Sequence, residues 1–163
     1  HFQPAIGYAL ADRIDKETRS RIMSAIRSVG TRPEKRVRSA LHRQGFRFRL
    51  HIKQLPGTPD LVLRKYKAVI FINGCFWHQH TNCKHSHIPQ TRSEFWQKKF
   101  IRNVARDQKV MYQLKVMGWR AAIIWECGLT KKCQEESLRR LALWLRWGSE
   151  YIEIPVYDEF TEQ

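Results

Sequence analysis

Apolar positions recur along this chain with two different spacings, and the switches between them mark its elements. Between Asp15 and Gly30, Ile22, Ala25 and Ile26 share one helical stripe, with an N-cap residue at one end and a glycine stop at the other, which predicts a short basic helix. Thr31-Arg32-Pro33-Glu34 then joins a capping threonine, an early proline and a glutamate three residues after the cap, and Val37, Leu41 and His42 continue the helical spacing towards Gly45. At Phe46 the spacing drops to two: Phe46, Phe48 and Leu50 alternate with Arg47, Arg49 and His51, the sign of a strand with one buried face. Leu61-Val62-Leu63 and Ala68-Val69-Ile70-Phe71-Ile72 follow as apolar runs, the second long enough for a central strand. Thr91-Arg92-Ser93-Glu94 is a second capping box and opens a long helix whose inner face would use Phe95, Ile101, Val104, Met111 and Leu114, with Gly118 as its stop. Trp119 to Trp125 reads as a buried strand, with Phe95, Trp119 and Trp125 assigned to the core, and Thr130 to Trp147 reads as an amphipathic helix rich in Leu and Trp.

The order ααβββαβα predicts an α/β fold, a mixed central β-sheet flanked by helices, with no internal repeat. A chain of 163 residues with 42% hydrophobic content is enough for one domain with an ordinary core. Charge narrows the class of partner. There are 30 Lys and Arg against 15 Asp and Glu, a net +15, and from Glu150 onward the chain holds five acids and no base, so residues 1–149 carry +20. Such a body repels itself unless it meets a polyanion. Cations interleaved with aromatic and aliphatic residues, and the absence of any apolar run near the ~20 residues of a membrane span, favour nucleic acid over a lipid surface. No signal-peptide pattern opens the sequence, so the four cysteines are expected as thiols or metal ligands rather than two disulfides.

Two motifs carry candidate chemistry. Pro59-Asp60 follows the turn-forming Leu55-Pro56-Gly57-Thr58 at the start of a strand, where a rigidly held carboxylate can bind a hard cation such as Mg²⁺. The same dipeptide is equally at home as a turn aspartate capping backbone amides. Gly74-Cys75-Phe76-Trp77-His78-Gln79-His80-Thr81-Asn82-Cys83, with Cys127 returning after a strand, has the thiolates and imidazoles of a closed structural zinc site. Cys75, His80, Cys83 and Cys127 are the preferred ligands because they leave His78 free for catalysis, with His85, His87 and Cys133 as alternatives.

Leu55-Pro56-Gly57-Thr58-Pro59-Asp60, the Gly74 to His78 block, Thr91-Arg92-Ser93-Glu94-Phe95-Trp96, Asn103-Val104-Ala105-Arg106-Asp107 and Gly118-Trp119-Arg120 through Trp125-Glu126-Cys127 resemble, in order and spacing, the very short patch repair (Vsr) endonucleases. The resemblance covers roughly residues 12–148, leaving 1–11 as an N-terminal extension and 149–163 as an acidic tail. It implies a restriction-endonuclease-like PD-(D/E)XK variant with one structural zinc, and Mg²⁺-dependent nicking 5′ of the thymine in a T·G mismatch. It implies Asp60 as metal-binding aspartate, His78 as catalytic histidine and Glu34 as supporting glutamate, and it carries the zinc ligands over as Cys75, His80, Cys83 and Cys127. Two positions depart from the family pattern: Ile72 and Asn73 stand where threonine and histidine are expected. Ile72 still offers a backbone carbonyl to Mg²⁺, while Asn73 cannot act as a base, which leaves that role to His78.

Mismatch recognition by wedging aromatic rings into the base stack points to Phe76 and Trp77, with Trp96 a further DNA contact and Met23 reaching the opposite groove. Cations on the first two helices and at Lys98, Lys99 and Arg102 are candidates for phosphate contact. Expected partners are mismatched duplex DNA, a cytosine-5 DNA methyltransferase linked through deamination of its product, and mismatch-repair proteins. The expected form is a cytoplasmic, nucleoid-associated monomer. The competing readings are a zinc-stabilised DNA-binding module without catalysis and an RNA-binding protein. The first has no use for Asp60 paired with His78, and the second leaves the zinc constellation unexplained.

Overall fold

A computed structural model describes residues 29–155 together with Asp15, Glu17, Thr18 and Arg21. Most of the helix expected between Asp15 and Gly30, Met23 included, lies outside the described residues.

Among the described residues, α1 (Arg32–Arg43), β1 (Arg49–Leu50), β2 (Leu61–Leu63), β3 (Ala68–Asn73), α2 (Cys75–His78), α3 (Ser93–Val116), β4 (Arg120–Trp125), α4 (Gln134–Trp147) and β5 (Tyr151–Ile154) follow one another. The strands form one mixed sheet in the order β1-β2-β3-β4-β5. β1, β2 and β3 pair antiparallel, while β3, β4 and β5 run parallel. The apolar runs are continuous because both faces of the sheet are covered. Leu61, Leu63, Ala68, Ile70, Ala122 and Ile124 pack with Val37 and Leu41 of α1 and Leu141 and Leu145 of α4. The alternate residues Val62, Val69 and Ala121 pack with Leu114 of α3. This is the α/β fold the sequence predicts, with β5 added.

Four expectations need correction. The strand expected from Phe46 shrinks to Arg49–Leu50, because His51 takes a left-handed backbone (φ 47°) that ends it; Phe46 is buried in the core, but Leu50 is 42% exposed. The capping box at Thr91 does not form. Helix α3 starts at Ser93 behind Arg92, which is itself left-handed and lays its guanidinium over the Phe95 ring. The inner face of α3 holds in part: Leu114 is buried and Met111 packs against the core as expected, but Phe95 and Ile101 are 46% and 68% exposed, so Phe95 is not core, and Phe100 is buried in their place. Finally, α4 begins at Gln134 rather than Thr130, after the short 3-10 turn Glu126–Leu129. The expected acidic tail is structured at its start, where Tyr151–Ile154 pairs with Ala121–Ile124.

Candidate active site and metal centre

Two clusters of side chains gather near the C-terminal end of β3. The first is built on β2, α1 and the segment after β1. The ladder between β2 and β3 ends at Leu61↔Ile70, and just beyond it the Asp60 side chain takes over from backbone pairing: Oδ2 accepts the Ile72 N–H at 2.7 Å. Burial pushes the Asp60 carboxyl up to about 6. The Ile72 N–H draws it down and the neighbouring Glu34 raises it further. Glu34 is 3% exposed and completes the capping box of α1, accepting from Gly30 N (3.0 Å) and Thr31 N (3.4 Å). The same carboxylate meets Arg38 Nη2 at 2.6 Å. His51 stands between the two acids, its Nε2 3.6 Å from Glu34 and its Nδ1 3.8 Å from Asp60. Ligand atoms of Glu34, His51 and Asp60 all lie within 4.8 Å of one another.

The turn that delivers Asp60 rests against α3. Gly57 (φ 72°) sits so near Val110 that a Cβ there would come within 2.5 Å of its Cγ1, so only glycine suits both the turn and the contact.

The second cluster grows from the end of β3 through Gly74 into α2, a single helical turn. Helix α3 secures that turn from two positions one turn apart: Asn103 Nδ2 donates to the Trp77 carbonyl at 3.0 Å, and Asp107 Oδ2 lies 2.6 Å from His78 Nδ1. From the start of α2 onward, Cys75, His80, Cys83 and Cys127 bring their ligating atoms within 4.8 Å of one another. His80 Nδ1 is 3.7 Å from Cys75 Sγ and 3.4 Å from Cys127 Sγ, close to the ~3.6 Å edge that a tetrahedron with Zn–S and Zn–N bonds of ordinary length requires. The residues therefore fit a zinc ion. Without a cation, Cys75 and Cys83 hold their protons. A hydrogen bond with Cys127 and burial push Cys75 up, and burial pushes Cys83 up. His80 also stacks on Trp125, centroids 4.2 Å apart and planes 10° from parallel, and the Trp125 indole donates to Glu153 Oε1 of β5 at 2.6 Å. Glu126, its carboxyl raised by burial, accepts the Cys75 N–H at 3.2 Å and holds the start of α2.

The aromatic residues are arranged differently from the expected wedge. Phe76 is only 2% exposed, packed edge-on at 5.0 Å against both Trp77 and Phe100 and at 5.4 Å against Trp96. Trp77, Trp96 and Phe95 form the accessible rim, and Lys99 Nζ lies within 5.9 Å of all three ring centres.

The sequence motifs thus bring Glu34 with Asp60, and the four thiol and imidazole ligands with one another. They did not single out His51, Asn103, Asp107 or Glu126 as functional. The four-residue spacing of Asn103 and Asp107 on one helix face was the available signal for that pair.

The family model of the DNA mismatch endonuclease Vsr matches residues 11–85. The chain is 47% identical over 121 residues to the type II nicking enzyme V.XorIIP of Xanthomonas oryzae pv. oryzae, covering 74% of this chain and 88% of that protein. It is 45% identical over 139 residues to the DNA mismatch endonuclease Vsr of Escherichia coli, covering 83% and 88%. The chain belongs to the Vsr family. This Vsr-family protein is a DNA endonuclease, and its basic body suits that substrate. Among solved structures, the catalytic domain of a homing endonuclease superposes with a TM-score of 0.49 at 20% identity, covering 72% of this chain and 97% of that one. No helix among the described residues of this Vsr-family chain is long and apolar enough to cross a membrane.

Proposed function

We propose that the protein nicks one strand of duplex DNA 5′ of the thymine in a T·G mismatch, with Asp60 holding a Mg²⁺-type cation and His78 accepting the proton of the attacking water. The observation that carries this reading is the 2.6 Å contact between His78 Nδ1 and Asp107 Oδ2. An ionised carboxylate only accepts, so the imidazole proton belongs on Nδ1 and Nε2 is left as the basic nitrogen. Asp107 fixes the ring and supports the positive charge that develops when Nε2 takes the proton, as the orienting carboxylate of a catalytic triad does. The water oxygen adds to phosphorus, its proton passes to His78 Nε2 and the bond to the 3′-oxygen breaks.

A residue in a strand turns its N–H and C=O to the same side, so the Ile72 carbonyl shares the side on which Asp60 accepts the Ile72 N–H. Asp60 and that carbonyl are the proposed oxygen ligands, with Glu34 supporting them. When bound, the cation supplies charge stabilisation to the phosphate and the departing oxygen. Cys75, His80, Cys83 and Cys127 would hold one structural zinc that ties α2 to the segment following β4.

Trp77 and Trp96 are the proposed wedge. The buried Phe76 braces them, Lys99 supplies a cation in front, and Met23 keeps its proposed groove contact. A duplex softened by a mismatch unstacks at lower cost than a matched one, which is how such a wedge discriminates. Deamination of 5-methylcytosine yields T·G, so a cytosine-5 DNA methyltransferase is the proposed functional companion, with mismatch-repair proteins as further partners of a nucleoid-associated monomer.

The test uses end-labelled duplexes carrying one T·G mismatch in varied flanks, with matched T·A controls. A nick just 5′ of the thymine that needs added Mg²⁺ is the expected result. Asp107→Asn should slow it by roughly 10²–10⁴-fold with mismatch binding retained, the range of a misoriented general base. Binding without a nick in any flank would leave the non-catalytic reading standing.

A further inference from the structure

We infer that His51 is a positioning residue for the catalytic carboxylate of Asp60, an inference that rests on the nuclease role proposed for Asp60. It begins from Arg38, whose Nη2 lies 3.0 Å from His51 Nε2. A guanidinium has only donors, so Nε2 accepts, the ring is neutral and its proton is on Nδ1. That N–H faces Asp60 Oδ1 across 3.8 Å, while Oδ2 is held by the Ile72 N–H at 2.7 Å. The two groups face different oxygens, so the Ile72 N–H holds one and closure of the His51 contact on the other would set the plane of the carboxylate. At 3.8 Å the His51 contact is longer than a hydrogen bond, and such contacts tighten when the working complex assembles.

His51 also takes a left-handed backbone, φ 47°. A non-glycine residue in that region is uncommon and strained, and strain of this kind concentrates at functional sites. Here it has a visible effect. It ends β1 after two residues and puts the imidazole between Glu34 and Asp60. Glu34 and Asp60 repel each other, and the polar groups found between them are Arg38 and His51. Arg38 is tied to Glu34 at 2.6 Å, so His51 is the group that relays this arrangement to Asp60.

The requirement is for one acceptor towards Arg38 and one donor towards Asp60, which a glutamine amide can supply and a leucine cannot. Free Mn²⁺ measured by electron paramagnetic resonance gives cation affinity without reference to activity, and single-turnover nicking of a T·G duplex gives the rate. His51→Leu should weaken Mn²⁺ binding and raise the half-saturating cation concentration for nicking by roughly 10–100-fold, the usual cost of losing a group that orients a metal ligand. His51→Gln should restore most of both. Matched circular dichroism and zinc content would show that the two variants are equally folded. Leucine behaving like the parent, or glutamine failing as badly as leucine, overturns the inference. Asp60→Asn separates the two levels of the argument: if it nicks normally, the nuclease role of Asp60 has failed, whereas if only the His51 variants are silent, the role of His51 alone has.

Discussion

Asp60 combines two demands that pull against each other. Its side chain completes the end of the β2–β3 ladder, and it is buried enough that its carboxyl is pushed up to about 6 from an ordinary 3.8. Between those values the native state holds a proton that the unfolded chain has lost. The stability this group contributes is therefore complete below about 3.8 and disappears as pH rises through about 6. Asp60→Asn keeps an oxygen for the Ile72 N–H without the charge. In buffer free of added Mg²⁺ and with zinc retained, the variant should gain on the parent as pH rises from about 3.8 to 6 and level off above that, by up to about 3 kcal/mol in all, read from urea unfolding at each pH. A pH-independent difference would mean that Asp60 titrates as an exposed carboxyl does. Asp60→Ala should be less stable than Asp60→Asn by about 1–2 kcal/mol, since it strands the Ile72 N–H. The place of Asp60 at the start of β2 was legible in the sequence because Pro59 and the turn before it mark a rigid position. His51 and Asp107 were not, because each occupies an ordinary polar slot in a local pattern and gains its meaning only from a partner 9 or 29 residues away.

Helix α3 works as a straightedge for the site. Asp107 and Val110 lie about one turn apart on it; the first orients His78 and the second receives the turn that carries Asp60. Gly57→Ala would force a β-carbon against Val110 and an L-residue into φ 72°. It is expected to cost roughly 1–3 kcal/mol and to lower nicking more than the loss of stability explains. Adding Val110→Ala should recover the steric part and leave the backbone part, a coupling that a double-mutant cycle on thermal unfolding would measure. If the two changes are additive, the contact is not what constrains the turn. At this scale the apolar runs announced β2, β3 and β4 correctly because burial on both faces leaves little else in the sequence. The start of α3 and the facing of its first turns differ from the sequence pattern because Arg92 and the Phe76–Phe100 packing, both tertiary, decide them, whereas Met111 and Leu114 face the core as the pattern indicates. A similar gap hid β5, whose partner β4 lies well upstream and whose own four residues mix exposed with buried positions.

The whole molecule joins a basic body to a sheet whose last strand is acidic. Tyr151–Ile154 looks dispensable, a short edge strand outside the blocks that mark the family. Yet Glu153 on it receives the Trp125 indole N–H, and the other face of that contact chain is the stack of Trp125 on the His80 ring. The final strand is thus a backstop for a proposed metal ligand that precedes it by some seventy residues. A chain cut after Gly148 should keep most of its sheet by circular dichroism but lose zinc several-fold faster to a competing chelator, in the manner of other outer-shell losses. Unchanged zinc retention in the shortened chain would break that link. Shortening a nuclease at an acidic end is ordinarily a way to make it stick better to DNA; here the same trimming would present as a metal deficiency, corrected by adding zinc rather than by restoring charge.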